Sequence, residues 1–448
     1  MLSNITFQEV MKMNQEQKEC KWLLPGGRVN EEEFCRAFYM SHGIVYQDGA
    51  FFSKEGRLTD QQVRTMIYRE MQDSIISGVA AKVEGCLNAL RYAAGQECIK
   101  DNPDEDIFKV HVANGVYDLR RRELSTFREL TRYRLPVRYN PEAPRPERWL
   151  RFVEELLYEE DIPTLQEFMG YCLIPSTMAQ KMLLITGRGG EGKSRIGLVM
   201  KSLLGCNMNL GSIAKVEKSP FARADLQHLL LMVDDDLKME ALDQTNYLKS
   251  IITAELPMDL ERKGEQSYQG SLYVRFLAFG NSNLQALHDR SYGFFRRQIL
   301  LEARERPRDR QDDPYLGLSL QQETEGILLW CIKGLERLLQ NDFRFTQSKR
   351  ARENLLRSMA QANNIPEFLK SQGYIRLDPQ GMASSRVLYA IYRSWCEDNA
   401  YFPLRPNTFW AFLNQNLATY GLTPTRSVPI GNGKYARGFL GITACCRF

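Results

Sequence analysis

The sequence predicts an α/β fold with a parallel central sheet, an α+β region ahead of it and a smaller helix–hairpin unit behind it. Three observations carry this. Residues Lys181 to Leu301 alternate short apolar runs with helical stretches. The first of those runs, Met182 to Thr186, passes through a glycine-rich turn into a good helix, Arg195 to Leu204. The flanking segments carry hairpin signals upstream and a basic helix–helix–hairpin order downstream.

Composition sets the outer bounds. The chain has 448 residues, 43% hydrophobic and 25% charged, with a mean hydropathy of −0.40. That length has room for two to four cores at about 150 residues each. No apolar stretch reaches the roughly 18 residues of a membrane span, so no membrane partner is expected. The first 21 residues carry Glu9, Gln15, Glu16 and Glu19 where a signal peptide needs an apolar run. Lys and Arg number 59 against 55 Asp and Glu, a net +4 too mild to name a nucleic-acid partner. The ten cysteines form no CxxC pair and there are only four histidines. A zinc site of standard spacing is not expected, and reduced thiols in a cytoplasmic protein are.

In chain order, His42 to Phe52 reads as a hairpin turning at Asp48-Gly49. Gln61 to about Ala94 has helical periodicity, with Val63, Ile67, Met71, Ile75 and Ile76 on one stripe. Ile107 to Phe127 reads as short strands around Asn114-Gly115, and Pro136 to Pro146 as a linker. Trp149 to about Cys172 returns to helix. After the alternating region, Ala303 to Pro314 reads as a charged, solvated loop, Glu323 to Gln340 as an amphipathic helix, and Asp342 to Met359 as a basic helical stretch.

The strongest motif is Gly187-Arg188-Gly189-Gly190-Glu191-Gly192-Lys193-Ser194, a full match to the phosphate-loop pattern in its strand–turn–helix context. Glycines let backbone amides curl around phosphates, and the helix N-terminus adds positive potential. Lys193 would reach the transferred phosphate, Ser194 would ligate Mg²⁺, and Arg195 opens the helix at the edge of the ATP site. Leu229 to Val233 is an apolar run ending in Asp234-Asp235-Asp236. Asp234 is assigned to the metal and Asp235 to the attacking water, and Asp236 leaves the register open by one residue. A third apolar run, Tyr273 to Phe279, ends in Gly280-Asn281-Ser282-Asn283. Asn281, favoured over Asn283, suits a water-orienting amide. Between these runs, Met258 to Tyr268 reads as a hairpin with Arg262 and Lys263 at its tip. Arg296 and Arg297 then lead into an apolar strand, a placement that suits an arginine finger.

This ordered constellation resembles the superfamily 3 helicases, ring-forming AAA+ motors. More narrowly it is similar to the phage and plasmid primase-helicase family related to the poxvirus primase-helicase. The resemblance extends upstream through His111 to Leu119 and Leu165 to Tyr171. It implies an AAA+ P-loop core over 146–340, a helper domain of primase-helicase type over 1–145, a basic helical linker over 341–380 and a winged-helix-like domain over 381–448. It also implies ATP and Mg²⁺ as cofactors and single-stranded or forked DNA gripped by Arg262 and above all Lys263. Asn281 would be the sensor. The finger, with Arg297 favoured over Arg296, would act across subunits of a ring, a hexamer in the family, in the cytoplasm of a bacterial host. A separate primase or initiator would be a partner. Primer synthesis by this chain is not implied: Asp104-Glu105-Asp106 sits in a polar turn, not at a strand end.

The last segment, 381–448, holds seven arginines and lysines against Glu397 and Asp398. Val387 to Trp395 and Asn407 to Tyr420 read as helices and Thr425 to Ile442 as a hairpin turning at Asn432-Gly433. Lys434 and Arg437 would contact DNA phosphates there, which positions without specifying sequence; a protein-contact role stays open. The functional reading is an ATP-dependent DNA helicase or translocase for replication of a mobile element. The alternative is an AAA+ switch or initiator ATPase that binds DNA without unwinding it. A metabolic P-loop kinase fits less well, since it has no use for a basic hairpin between the acidic and asparagine strands.

Overall fold

The computed structural model describes residues 21–445 apart from 73, 76–77, 95–97, 100–102, 238–244, 281–291, 308–310, 312, 372 and 400. At its centre is a five-stranded parallel sheet of β1 (Met182–Thr186), β2 (Met208–Leu210), β3 (Leu231–Asp234), β4 (Arg275–Gly280) and β5 (Gln298–Glu302). The spatial order is β2-β3-β4-β1-β5. From β1 the chain crosses to the far edge, steps back through β3 and β4, and crosses β1 again to reach β5. The carboxyl end of β1 is therefore the point where the winding reverses, where open α/β sheets hold their ligands.

The strands read as continuous apolar runs because both faces are covered. Alternate side chains feed two cores, as the two-residue period of a strand requires. Leu183, Ile185, Val233, Leu277 and Phe279 join one. Met182, Leu184, Met232, Phe276 and Ala278 join the other. The first face carries helices Ser194–Leu204, Ile162–Tyr171 and Thr324–Gln340. Ile213–Lys218 and Asn246–Ile252 cover the second. One polar residue inside β4 has a structural reason. Buried Arg275 donates to the Tyr171 carbonyl at 2.6 Å and to the Ser176 carbonyl at 3.1 Å, capping the end of the helix Ile162–Tyr171.

Residues Trp22 to Leu90 form a separate core, whereas Ile107 to Val137 share the core of the first sheet face. The hairpin Val45–Gln47/Ala50–Ser53 turns at Asp48-Gly49 as expected, both with positive φ. The helical periodicity read from Gln61 to about Ala94 forms as two helices, Asp60–Gln72 and Val79–Ala93, and Gly78, with a left-handed backbone (φ 72°), stands at the N-terminus of the second. The stretch from Trp149 to Cys172 is likewise two helices, Glu147–Leu156 and Ile162–Tyr171, with Pro163 in the first turn of the second.

The C-terminal core runs from Ile365 to Ile442. Its order is strand Ile375–Ser384, helix Ser385–Asp398, helix Pro406–Gln415, and the hairpin Thr423–Pro429/Tyr435–Ala444 turning at Asn432-Gly433. The first strand was not legible in the sequence. Asp378-Pro379-Gln380-Gly381 reads as a turn, and the sheet absorbs it as a register irregularity between Leu377 and Met382. Among the described residues, no helix is long and apolar enough to cross a membrane.

Candidate functional site

The phosphate-loop sequence stands at the carboxyl end of β1, at the winding reversal. Gly187 donates its N–H to the carbonyl of Gly280, the last residue of β4, at 3.1 Å. The loop then turns through Gly189, Gly190 and Gly192, with φ of 107°, 81° and 101°, and Ser194 opens the helix Ser194–Leu204. The amides of Arg188 and Gly189 converge on one oxygen of Glu191, the latter at 2.8 Å. The other oxygen accepts from Lys193 Nζ at 2.7 Å. Both side chains are buried, at 4% and 6% exposure. Burial opposes a charge on Glu191, but the lysine and the amides outweigh it and hold its carboxyl below the usual range. A Cβ at Gly187 would lie 2.8 Å from both Glu191 Oε1 and Lys193 Nζ, so a side chain there would push both of these flexible ends aside. Two loop amides and an ammonium thus converge on one anion, a donor set that suits a phosphate.

Asp234 ends β3 and is buried; its carboxylate accepts from the Ile213 amide at 2.7 Å. Burial raises its pKa above the ordinary value. Asp235 is exposed. Helix Ser194–Leu204 packs directly over this strand, a Cβ at Gly197 meeting Val233 at 3.5 Å. Ser194 and Asp234 thus belong to adjoining elements at the same sheet edge, a hydroxyl and a carboxylate of the kind Mg²⁺ prefers. Asn281 and Asn283 lie outside the described residues.

Arg296 and Arg297 stand at the other end of the sheet. They precede β5, whose Gln298 pairs with Met182 and Glu302 with Thr186. A five-residue strand spans roughly 16 Å, so the arginines and the phosphate loop of one chain are held at opposite edges. Arg296 is exposed, and Arg297, half-buried, donates to the Gly293 carbonyl. They line an open cleft of about 420 Å³ with Lys181 and Arg344. Burial, then Arg296 and Arg297, push the Lys181 ammonium below its ordinary value. Lys181 was missed in the sequence. Its signal is position: it precedes β1 as Arg297 precedes β5, and parallel pairing sets them side by side, the Met182 amide donating to the Arg297 carbonyl at 2.8 Å.

A second missed cation is Arg306. The segment Ala303 to Pro314 read as a solvated loop, yet Arg306 reaches the Gly190 carbonyl at 3.5 Å and Glu305 pairs with Arg188 at 2.8 Å.

The basic hairpin forms as expected, Met258–Leu260 pairing with Tyr268–Gly270. Its two tip cations differ. Lys263 is exposed. Arg262 instead turns inward, donating to the Asp48 carbonyl at 2.5 Å and to Gln227 Oε1 at 2.6 Å, with its guanidinium 4.8 Å from the Tyr268 ring. Lys434 and Arg437 are exposed on the C-terminal hairpin.

Residues 36–157 match the family described as D5 N terminal like, and residues 185–297 match a family of unknown function, DUF5906. No curated protein matches the chain. Among solved structures, the chain is similar to the A form apo structure of the NrS-1 C terminal region, at 10% identity and a TM-score of 0.50. It is similar also to a further apo structure of that region, at 11% identity and a TM-score of 0.51. Each alignment covers 91% of this chain and 98% of the other, and at this identity the likeness speaks for the fold.

Proposed function

We propose that this chain, related to the phage primase-helicase family through its two family matches and the fold it shares, is an ATP-driven DNA translocase or helicase for replication of a mobile element. The observation that carries the reading is the division of cationic groups across the parallel sheet. An anion cradle with Lys193 sits at the carboxyl end of β1, and Lys181, Arg296 and Arg297 sit at the opposite edge. Neither can serve the other within one chain. Subunits arranged head to tail in a ring, a hexamer by resemblance to the AAA+ motors, would bring one chain's arginines to the next chain's phosphates.

In this reading residues 146–340 form the AAA+ motor, 1–145 the helper domain, 341–380 a linker and 381–448 a winged-helix-like DNA unit. The amides of the loop from Gly187 to Gly192 and Lys193 would hold the ATP phosphates, with Glu191 leaving the cradle as they enter. Ser194 and Asp234 would hold Mg²⁺, which supplies charge neutralisation on the phosphates when bound. Asp235, exposed beside Asp234, would draw the proton of the attacking water, with Asn281 orienting that water. Arg297, with Arg296 beside it, would stabilise charge developing in the neighbour's site. Lys263 would grip DNA phosphates, while Arg262 anchors the hairpin that carries it. Lys434 and Arg437 would add phosphate contacts from the C-terminal hairpin.

Strand separation on a forked duplex tests this. Wild type should unwind with ATP. Lys263→Ala should hydrolyse ATP and fail to unwind. Wild type that binds DNA and hydrolyses ATP but never separates strands would favour a switch or initiator ATPase.

A further inference from the structure

We propose that the cleft between helix Pro406–Gln415 and the C-terminal hairpin takes one unstacked nucleobase of single-stranded DNA. The inference rests on the DNA-motor reading and names a site and a ligand that reading does not. The cleft is open and about 380 Å³ in volume. Its floor is aromatic: the rings of Trp410 and Phe439 lie 5.9 Å apart and nearly parallel, at 15°. Phe439 is buried beneath, and Trp410 is half-buried and lines the cleft.

The polar groups around this floor are unspent. The Trp410 indole N–H has no hydrogen-bond partner among the described residues, and neither does the exposed amide of Asn414, one helical turn on. Arg426 and Arg437 rise from the two strands of the hairpin, exposed and without an acidic partner among the described residues. Among the described residues, no acidic side chain lines the cleft.

These groups together select a ligand. An aromatic platform favours a flat π-system, and every base offers one regardless of sequence. Two free guanidinium groups favour a polyanion on either side of it. An amide and an indole N–H can meet the polar edge of a base. A duplex shields the faces of its bases, so only a base out of the stack can use the platform. Lys434 and Arg437 alone would account for phosphate contact; Trp410 and Asn414 have no use in that.

The test is the affinity of the full chain for a labelled oligothymidylate and for an abasic oligomer of equal length, which keeps phosphates and lacks bases. Wild type should bind the abasic strand roughly tenfold more weakly, as loss of one stacked base implies. Trp410→Ala should abolish the difference, Trp410→Phe should keep most of it, and Arg426→Ala should weaken both strands alike. Trp410 also packs in the C-terminal core, so exposed Asn414→Ala provides a second reading: it should weaken only the base-bearing strand. Equal wild-type affinity for the two strands, or a difference that survives Trp410→Ala and Asn414→Ala, would overturn the proposal. If oligothymidylate then still stimulates ATP hydrolysis, the motor reading stands without this cleft. If wild type binds neither strand, both fall.

Discussion

Nζ of Lys193 lies 2.7 Å from Oε2 of Glu191, and the other oxygen of that carboxylate takes the Arg188 and Gly189 amides. An internal anion thus satisfies the cradle from within the loop itself. If the loop binds ATP as proposed, an incoming phosphate would have to displace it. Glu191→Gln, which keeps the shape and removes the charge, should tighten ATP binding by about tenfold, the worth of one charge-assisted hydrogen bond. Titration with a fluorescent ATP analogue measures this; unchanged or weaker binding would show that Glu191 does not compete.

Arg262 and Lys263 are neighbours in different surroundings, the first hydrogen-bonded inward and the second exposed. Arg262 bridges Asp48 and Gln227, and Gly49 makes room for it, since a Cβ there would lie 1.7 Å from Nη1. Arg262→Ala and Gly49→Ala should each cost about 1–3 kcal/mol of stability through lost hydrogen bonds to a charged group. Lys263→Ala should stay within about 0.5 kcal/mol of wild type. Thermal melts of the three variants check this.

If the arginines act on the neighbouring subunit, two inactive variants should complement. Arg297→Ala and Lys193→Ala should each lower ATP hydrolysis by at least about 10³-fold. Mixed in equal amounts, they should recover activity, because some interfaces then pair an intact cradle with an intact finger. A mixture no more active than its components would argue for sites complete within one chain.

Two buried histidines set an acid limit. Burial pushes the pKa of His228 down to about 4; the Asp48 carbonyl opposes this, and Arg132 and Arg57 add to it. Burial, then Arg134 and Lys109, push His111 down to about 3. Both pKa values fall below 6.5, so the unfolded chain binds protons first. Stability is fully present above about 6.5 and is lost as pH falls toward 4 for His228 and toward 3 for His111. For His228 this is on the order of 3 kcal/mol. Melting temperature from pH 7.5 to 4.5 should fall, and His228→Asn should flatten the curve.

The sequence made the sheet legible where local chemistry and position coincide. The phosphate loop, the apolar run ending at Asp234 and the hairpin around Lys263 each carry their own signal, and each forms as read. What it hid are relations between distant segments. Lys181 joins Arg297 only because β1 and β5 pair in parallel. Arg306 reads as solvent-facing charge until β5 brings it over Gly190. Arg262 looks equivalent to Lys263 until the Asp48-Gly49 turn docks on it. The helical periodicity from Gln61 to about Ala94 does form as helix, but where one helix stops and the next starts at Gly78 is set by backbone conformation that the apolar stripe does not report.

The most direct measurement is the rate of ATP hydrolysis with and without single-stranded DNA, with Lys193→Ala as control. A DNA-driven motor should show clear stimulation by DNA, with both basal and stimulated rates abolished in the variant. Hydrolysis that depends on Lys193 but is indifferent to DNA would contradict translocation, and no Lys193-dependent hydrolysis at all would contradict the ATPase site itself.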